Sequence, residues 1–262
     1  MSDYFINPHI IATAPLLLDE FSGAAVAYSL RKLKTGVTDV IRVRRSSDSG
    51  ESDFSPTEIT DGTLTTYTGA GDGFVTKMYD QEGNIDAAQG TINSQPMIVD
   101  SGSLVVDLNG LPAMKANVAG ATFLTAPSVS ESQPITYFVA MDMTSAALGV
   151  TSIFDGDTNR NLLDSRGTDY RIYAGTTVLD DGNVTAAPHI LTALYNGSSS
   201  VFRDNQTDEG IGDPGASGID NLHVWGKTGL LGMASELVMY ASDKTSDFAA
   251  IETNMNNHYS FY

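Results

Sequence analysis

The sequence predicts an all-β protein: an antiparallel sandwich of two facing sheets, with helices confined to the two ends of the chain. Three observations carry that expectation. Short runs of alternating or continuously apolar residues recur from Val40 to Tyr240, which is strand periodicity. The dipeptides Asn109-Gly110, Asp181-Gly182 and Asn196-Gly197 separate such runs and supply the positive φ angles that tight hairpins demand. Helical patterning is confined to two stretches, near 22–35 and 246–258.

Residues 1–18 read as an N-terminal arm. Ile6, Ile10, Ile11, Leu16, Leu17 and Leu18 are too apolar for a free tail. The prolines of "INPH" and "TAPLL" prevent a long helix. Asp3 comes early and no basic run precedes the apolar residues, so the stretch does not read as a secretion signal. It is expected to dock onto its own sandwich, a second copy or another partner.

Residues 19–262 read as one domain, since no linker, repeat or low-complexity tract divides them. From Ser22, "SGAAVAYSLRKLKTG" combines good helix formers with basic residues before Gly36, which predicts a helix near 22–35. The strand-like runs begin with Val40–Val43, Gly73–Tyr79, Gln95–Val99, Leu104–Leu108 and Met114–Ala116. Ile135–Met141, Ser152–Phe154, Tyr170–Tyr173 and His189–Tyr195 follow. Val201–Arg203, His223–Trp225 and Ser235–Tyr240 complete the set. A closing helix is predicted with Ser246 as N-cap and Phe248, Ile251, Met255 and Tyr259 on one face.

Composition narrows the function classes. The chain has 262 residues and no cysteine, which removes disulfides, thiolate metal sites and a cysteine nucleophile. A formal charge of −18 disfavours nucleic acid and anionic membranes as partners. No apolar run is long enough to span a bilayer. Arg31, Lys32, Lys34, Arg42, Arg44 and Arg45 cluster, and an acidic segment from Ser46 to Asp61 follows; internal pairing between them is expected, with a phosphate-binding patch as the alternative.

The chemical motifs give less. "YDQEGNID" from Tyr79 lacks the sixth-position glycine and twelfth-position acid of an EF-hand, and so does "DGDTNRNLLDSR" from Asp155. The latter offers Asp155, Asp157 and Asn159 to a looser calcium site, against the plainer reading of an Asx-rich turn. No other cofactor or metal is expected. His9, His189, His223 and His258 are scattered and read as structural. There is no G-x-S-x-G elbow, Walker A or strand–GxGxxG–helix unit. Glu236 interrupts an apolar strand; alternation places it on one face with Val238 and Tyr240, and it reads as an edge or rim residue paired to an arginine. Asp80, Gly83 and Asn84 are expected to close a strand through Asx-type hydrogen bonds.

The run "AYSLRKLKTGVTDVIRVRRSSD", followed by "GDGFVTKMYDQEGNIDAAQ", "QPMIV" and "LNGLPAMKA", resembles a segment of bacterial and phage proteins. Its Tyr79-Asp80-Gln81-Glu82-Gly83-Asn84 turn is similar to one in the β-sandwich catalytic domain of α-L-arabinofuranosidases. The closing "LGMASELVMYASDKTSDFAAIETNMNNHYSFY" resembles the last strand and helix of laminin-G-like, concanavalin-like domains. The resemblance implies a jelly-roll sandwich. The cysteines on which those enzymes' pockets depend are missing here, and none of their catalytic acids maps onto a position of this chain.

Three function classes follow. The first is a non-enzymatic virion protein, decorating a phage head, tail or fibre and attached through the arm to virion proteins or its own copies. The second is a glycan-binding adhesin of the same fold, with Trp225, Tyr170 and Tyr173 as candidate sugar-stacking residues. The third is a glycoside hydrolase of arabinofuranosidase type, for which Glu236 and Asp155 are the best pair. No catalytic residue is assigned.

Overall fold

The computed structural model describes residues 15–116, 122–143, 151–166, 169–176, 178–181, 184–225 and 232–262. Helix α1 (Leu17–Glu20) precedes β1 (Val26–Ser29), β2 (Ile41–Arg45) and β3 (Glu51–Phe54). Helices α2 (Pro56–Thr60) and α3 (Thr63–Thr68) lead to β4 (Gly73–Met78), β5 (Ala87–Ala88), β6 (Met97–Asp100), β7 (Ser103–Leu104) and β8 (Met114–Lys115). Next come β9 (Leu124–Glu131), β10 (Ile135–Asp142), β11 (Thr151–Asp155), β12 (Leu162–Arg166), β13 (Asp169–Tyr173) and β14 (Val178–Asp181). The chain ends with β15 (Pro188–Tyr195), β16 (Ser200–Asp204), β17 (Thr207–Gly212), β18 (Ile219–Val224), β19 (Met233–Tyr240) and α4 (Phe248–Tyr259).

These strands make two antiparallel sheets. The first runs β1-β19-β10-β15-β16-β17. The second runs from β3 through β2 to β4, then by β5 and β9 to β18, β11, β12, β13 and β14. Short β8 pairs with both β6 and β19 and joins the sheets at one corner.

A large core fills the space between the layers. Tyr137, Val139, Leu237 and Met239 of the first sheet meet Ile41, Val75, Leu124 and Leu222 of the second. A smaller core lies on the outer face of the first sheet. There Phe138, Ala140, Val238 and Tyr240 pack under Phe248, Ile251, Met255 and Tyr259 of α4. The central strands of this sheet are therefore buried on both faces, and β10 and β15 are buried along their whole length. The face expected for the closing helix is the one observed. Its cap is not: Ser246 lies in a short 3₁₀ turn, and Asp247 takes the N-cap position without a side-chain bond.

The predicted helix at 22–35 is not there. Residues 26–29 form β1, with Val26 and Tyr28 in the large core and Ala27 in the small one. An all-apolar stretch with good helix formers has the same composition as a strand buried on both sides, and pairing with β19 decides between them. The inner end of the predicted arm is also part of the fold, since Leu17 and Leu18 are buried in the small core and only residues 1–14 lie outside the described ones. Helices α2 and α3 were not expected, although Ser55 and Glu58 form a complete capping box. Of the turn signals, Asn196-Gly197 joins β15 to β16, and Gly110 adopts φ 81° beside a Val106–Pro112 bridge. Gly182 lies outside the described residues.

Candidate functional site

One surface groove grows from the turn after β4. Asp80 is buried and its carboxylate accepts four backbone N–H groups. Oδ1 takes those of Ala27 and Glu82, at 2.7 and 3.1 Å, and Oδ2 those of Asn84 and Ile85, at 2.8 and 3.1 Å. Burial pushes the Asp80 carboxyl above its ordinary pKa, against the pull of these donors. Gln81 Oε1 accepts from Leu33 N–H at 2.7 Å, while its amide donates to the carbonyls of Ser29 and Arg31. Gly83 adopts φ 85°, and Asn84 donates to the carbonyl of Ala25 at 3.0 Å. The turn therefore clamps the 25–33 segment onto the sandwich, and the expected Asx bonding is observed in full.

Beside this rigid floor lies an open groove of about 650 Å³. Its walls include Lys34, Thr35, Asp39, Tyr79, Glu82 and Asp86. Tyr79 is half-buried, with its hydroxyl donating to Asp53 at 2.7 Å and Lys77 Nζ 5.2 Å from its ring centroid. Burial first, and then the bond to Asp53, push the phenol up to about 12, so it stays protonated at physiological pH. Lys34 bonds Glu82 at 2.6 Å, which raises its pKa, and Lys77 reaches Asp86 at 3.2 Å. Asp39 is exposed. The groove thus offers an aromatic ring next to carboxylates, hydroxyls and ammonium groups on an immobile base.

A second open groove, of about 540 Å³, is lined by Ser130, Glu131, Asn159, Thr176 and Ser217 among others. It has no aromatic side chain among its described lining residues.

The residues picked out in the sequence for sugar stacking do not make a site. Trp225 is completely buried, its indole N–H 3.5 Å from Met78 Sδ in the large core. Tyr170 is 1 % exposed and packs on His189 and Phe202. Only Tyr173 is partly exposed, at the end of β13. The physical reason is alternation: inward positions of a sandwich take the largest apolar side chains, and a lone tryptophan serves the core first.

Glu236 and Asp155 are both committed. Glu236 is fully buried and accepts from Arg31 Nε at 2.7 Å, Arg31 Nη2 at 3.0 Å, Ser29 Oγ at 2.8 Å and Tyr259 Oη at 3.0 Å. Burial raises its pKa, but Arg31 and these donors hold it below the ordinary glutamate value. The expected arginine pairing is present; the expected edge position is not, because β19 lies between β1 and β10. Asp155 forms a two-pronged pair with Arg160, at 2.8 and 2.6 Å. Asp157 meets His223 Nε2 at 2.8 Å, and one oxygen of Asp220 accepts the backbone N–H groups of Asp157, Thr158 and Asn159. That is a closed turn, and no group of three or more metal-ligating acids or histidines occurs among the described residues. In the basic run, Arg42 pairs with Asp53 and Arg45 with Asp48, as expected of the neighbouring acidic segment.

No family model matches the chain, and no curated protein does. Solved structures do. The Trypanosoma rangeli sialidase aligns with a TM-score of 0.50 at 11 % identity, over 70 % of this chain and 31 % of that one. Domain 4 of an extracellular arabinanase from Geobacillus stearothermophilus, in complex with arabinotriose, aligns at 16 % identity and TM-score 0.42, over 62 % and 85 %. The mouse laminin α1 LG4-5 domains align at 8 % identity and TM-score 0.33, over 83 % and 84 %. The chain spans about a third of the length of the sialidase, and likeness at such identity speaks to fold alone. The protein is an all-β, antiparallel sandwich with a few short helices. No described helix is long and apolar enough to cross a membrane.

Proposed function

We propose that this sandwich is a non-catalytic carbohydrate-binding module whose saccharide site is the groove beside Tyr79. The observation that carries the reading is the half-buried Tyr79 ring in the wall of that groove, flanked by Asp39 and Asp86. Sugars present an apolar ring face edged with hydroxyls, which an aromatic side chain beside carboxylates and hydroxyls complements. The turn beneath is locked by Asp80 and Gln81, so the site needs little ordering on binding.

The non-catalytic part is supported by the state of Glu236 and Asp155, the pair the sequence offers for hydrolysis. A glycosidase needs one carboxyl held protonated near neutral pH opposite one that stays ionised. Glu236 is held in the opposite direction by Arg31, and Asp155 is engaged by Arg160. Display on a virion, with attachment through residues 1–14, is the finer form of the reading. It rests on the resemblance of the early segments to phage proteins, and flanking capsid or tail genes would support it.

The test is a glycan array with purified protein, followed by calorimetry on any hit with Tyr79→Ala, Tyr79→Phe and Asp39→Asn. Binding lost in Tyr79→Ala and kept in Tyr79→Phe is expected. A hit insensitive to all three contradicts the site. Turnover of aryl arabinofuranosides that Asp39→Asn or Asp86→Asn abolishes would replace the module by a hydrolase.

A further inference from the structure

Of the eight arginines, seven form an ion pair with a carboxylate. Arg44 does not. It is only 7 % exposed, on β2 next to Phe74 of β4. Its Nε donates to Gln95 Oε1 at 2.8 Å, and its guanidinium carbon lies 4.6 Å from the Phe74 ring centroid. Gln95 is itself fixed by donating to the carbonyl of Gln89 at 3.0 Å. The Nη groups donate to nothing among the described residues, yet neither is a sealed, unsatisfied donor, so both can be reached from solvent. Glu51 stands opposite Arg44 across the β2–β3 pair; it is exposed and forms no ion pair with it, and its charge offsets the desolvation of Arg44 only in part.

A largely buried guanidinium gains from a directly bonded carboxylate, and in a chain of −18 formal charge an internal one would be easy to supply. The planar fork, held by a stacked ring on one side and a glutamine at Nε, leaves its outer edge for two parallel bonds to a carboxylate. Arg44 and Phe74 also share a face with the Tyr79 groove. Val75 and Met78 of β4 point into the core, so Phe74, Lys77 and Tyr79 point outward. Phe74 and Tyr79 are about 16 Å apart at strand rise. An extended ligand seated on Tyr79 can therefore reach Arg44 along one strand.

We propose that Arg44 anchors the carboxylate of an acidic saccharide, a uronic-acid unit, in a chain that also occupies the Tyr79 groove. This inference rests on the carbohydrate-binding reading above and names its substrate class. The negative chain repels polyanions at long range, so recognition of an acidic sugar has to come from a dedicated local cation, and Arg44 is the arginine that forms no ion pair among the described residues.

The experiment follows the Arg44 Nε–Hε resonance by NMR during titration with an oligogalacturonate, its carboxyl-reduced neutral counterpart, and sodium acetate or sulfate. A shift with the oligogalacturonate and none with the neutral chain is expected. Arg44→Gln should weaken the acidic chain about tenfold and leave the neutral one unchanged, with Arg44→Lys intermediate. The NMR readout on the unaltered protein does not depend on how well the variants fold. A silent Arg44 resonance, or equal affinity for the acidic chain in Arg44→Gln, overturns the proposal. A response to sulfate or acetate without one to the oligogalacturonate shows a generic anion site and overturns it too. Neutral saccharide bound at Tyr79 with no gain from carboxylates refutes Arg44 alone; failure of both chains to bind refutes the carbohydrate reading as well.

Discussion

The outer face of the first sheet is covered by α4 and α1, whereas the outer face of the second carries the partly exposed Lys77 and Tyr79 beside the more deeply set Arg44 and Phe74. Two arginines from the same basic run show what separates them. Arg31, at the edge of the covered face, has its guanidinium spent on Glu236 and Asn254, and Tyr259 of α4 donates to the same glutamate. Glu252 repeats the arrangement further along α4, accepting from Thr192 at 2.7 Å and Arg203 at 2.9 Å. Polar groups buried beneath the helix are thus answered from within the chain, and their work is to hold the helix down. Arg44, 7 % exposed, forms no ion pair, and its side chain hydrogen-bonds only to Gln95. A buried charge bonded to an opposite charge of its own chain marks scaffold; an arginine fork left without one marks a place where something else is expected to bind.

That contrast can be broken by substitution. Glu236→Gln leaves the Arg31 cation buried without its counter-charge and should cost about 3–5 kcal/mol in urea unfolding. A loss below about 1 kcal/mol would mean the covered face is not held this way. Leu17→Ala should cost about 2–5 kcal/mol through the cavity it opens under α4, although deletion of residues 1–14 should leave the melting temperature nearly unchanged. A large loss on that deletion would move the arm into the fold.

A smaller effect is expected with pH. His189 is buried, which by itself would lower its pKa, but the Asp204 carboxylate at 2.8 Å raises it above the ordinary histidine value of 6.5. A raised folded-state pKa stabilises fully below the unfolded value and is lost as pH climbs through the folded one. The melting temperature should therefore decline as pH rises past 6.5, and Asp204→Asn should flatten that decline. The same slope in the variant would assign it to another group. Arg44→Gln, on the open face, should cost about 1 kcal/mol or less, since it removes one hydrogen bond and a charge without an ion pair together.

The covered face was easier to read in the sequence than the open one. Phe248, Ile251, Met255 and Tyr259 fall at helical spacing, and all four are buried where that spacing puts them. The bonding of Asp80, Gly83 and Asn84 was legible because turn chemistry is local. What failed had non-local causes. Residues 22–35 read as a helix because burial on two faces erases strand alternation, and the bases at its end go to Glu236 and Glu82 rather than to a helix terminus. Trp225 and Tyr170 were picked for chemistry that needs exposure, and exposure is set by the layer opposite. The groove joins Lys34 and Asp39 to Tyr79 and Asp86 through β2–β4 pairing and the clamp of Gln81 on Leu33, both non-local. Arg44 could not be told from its paired neighbours by any spacing rule, since what distinguishes it is a missing partner.

The most direct test of the account is a backbone amide chemical-shift map of the protein titrated with the best saccharide from the array. Shifts concentrated at Thr35–Asp39, Tyr79–Asp86 and Phe74 are the expected result. Shifts confined to α4, to the second groove around Glu131 and Asn159, or to no surface at all would contradict it.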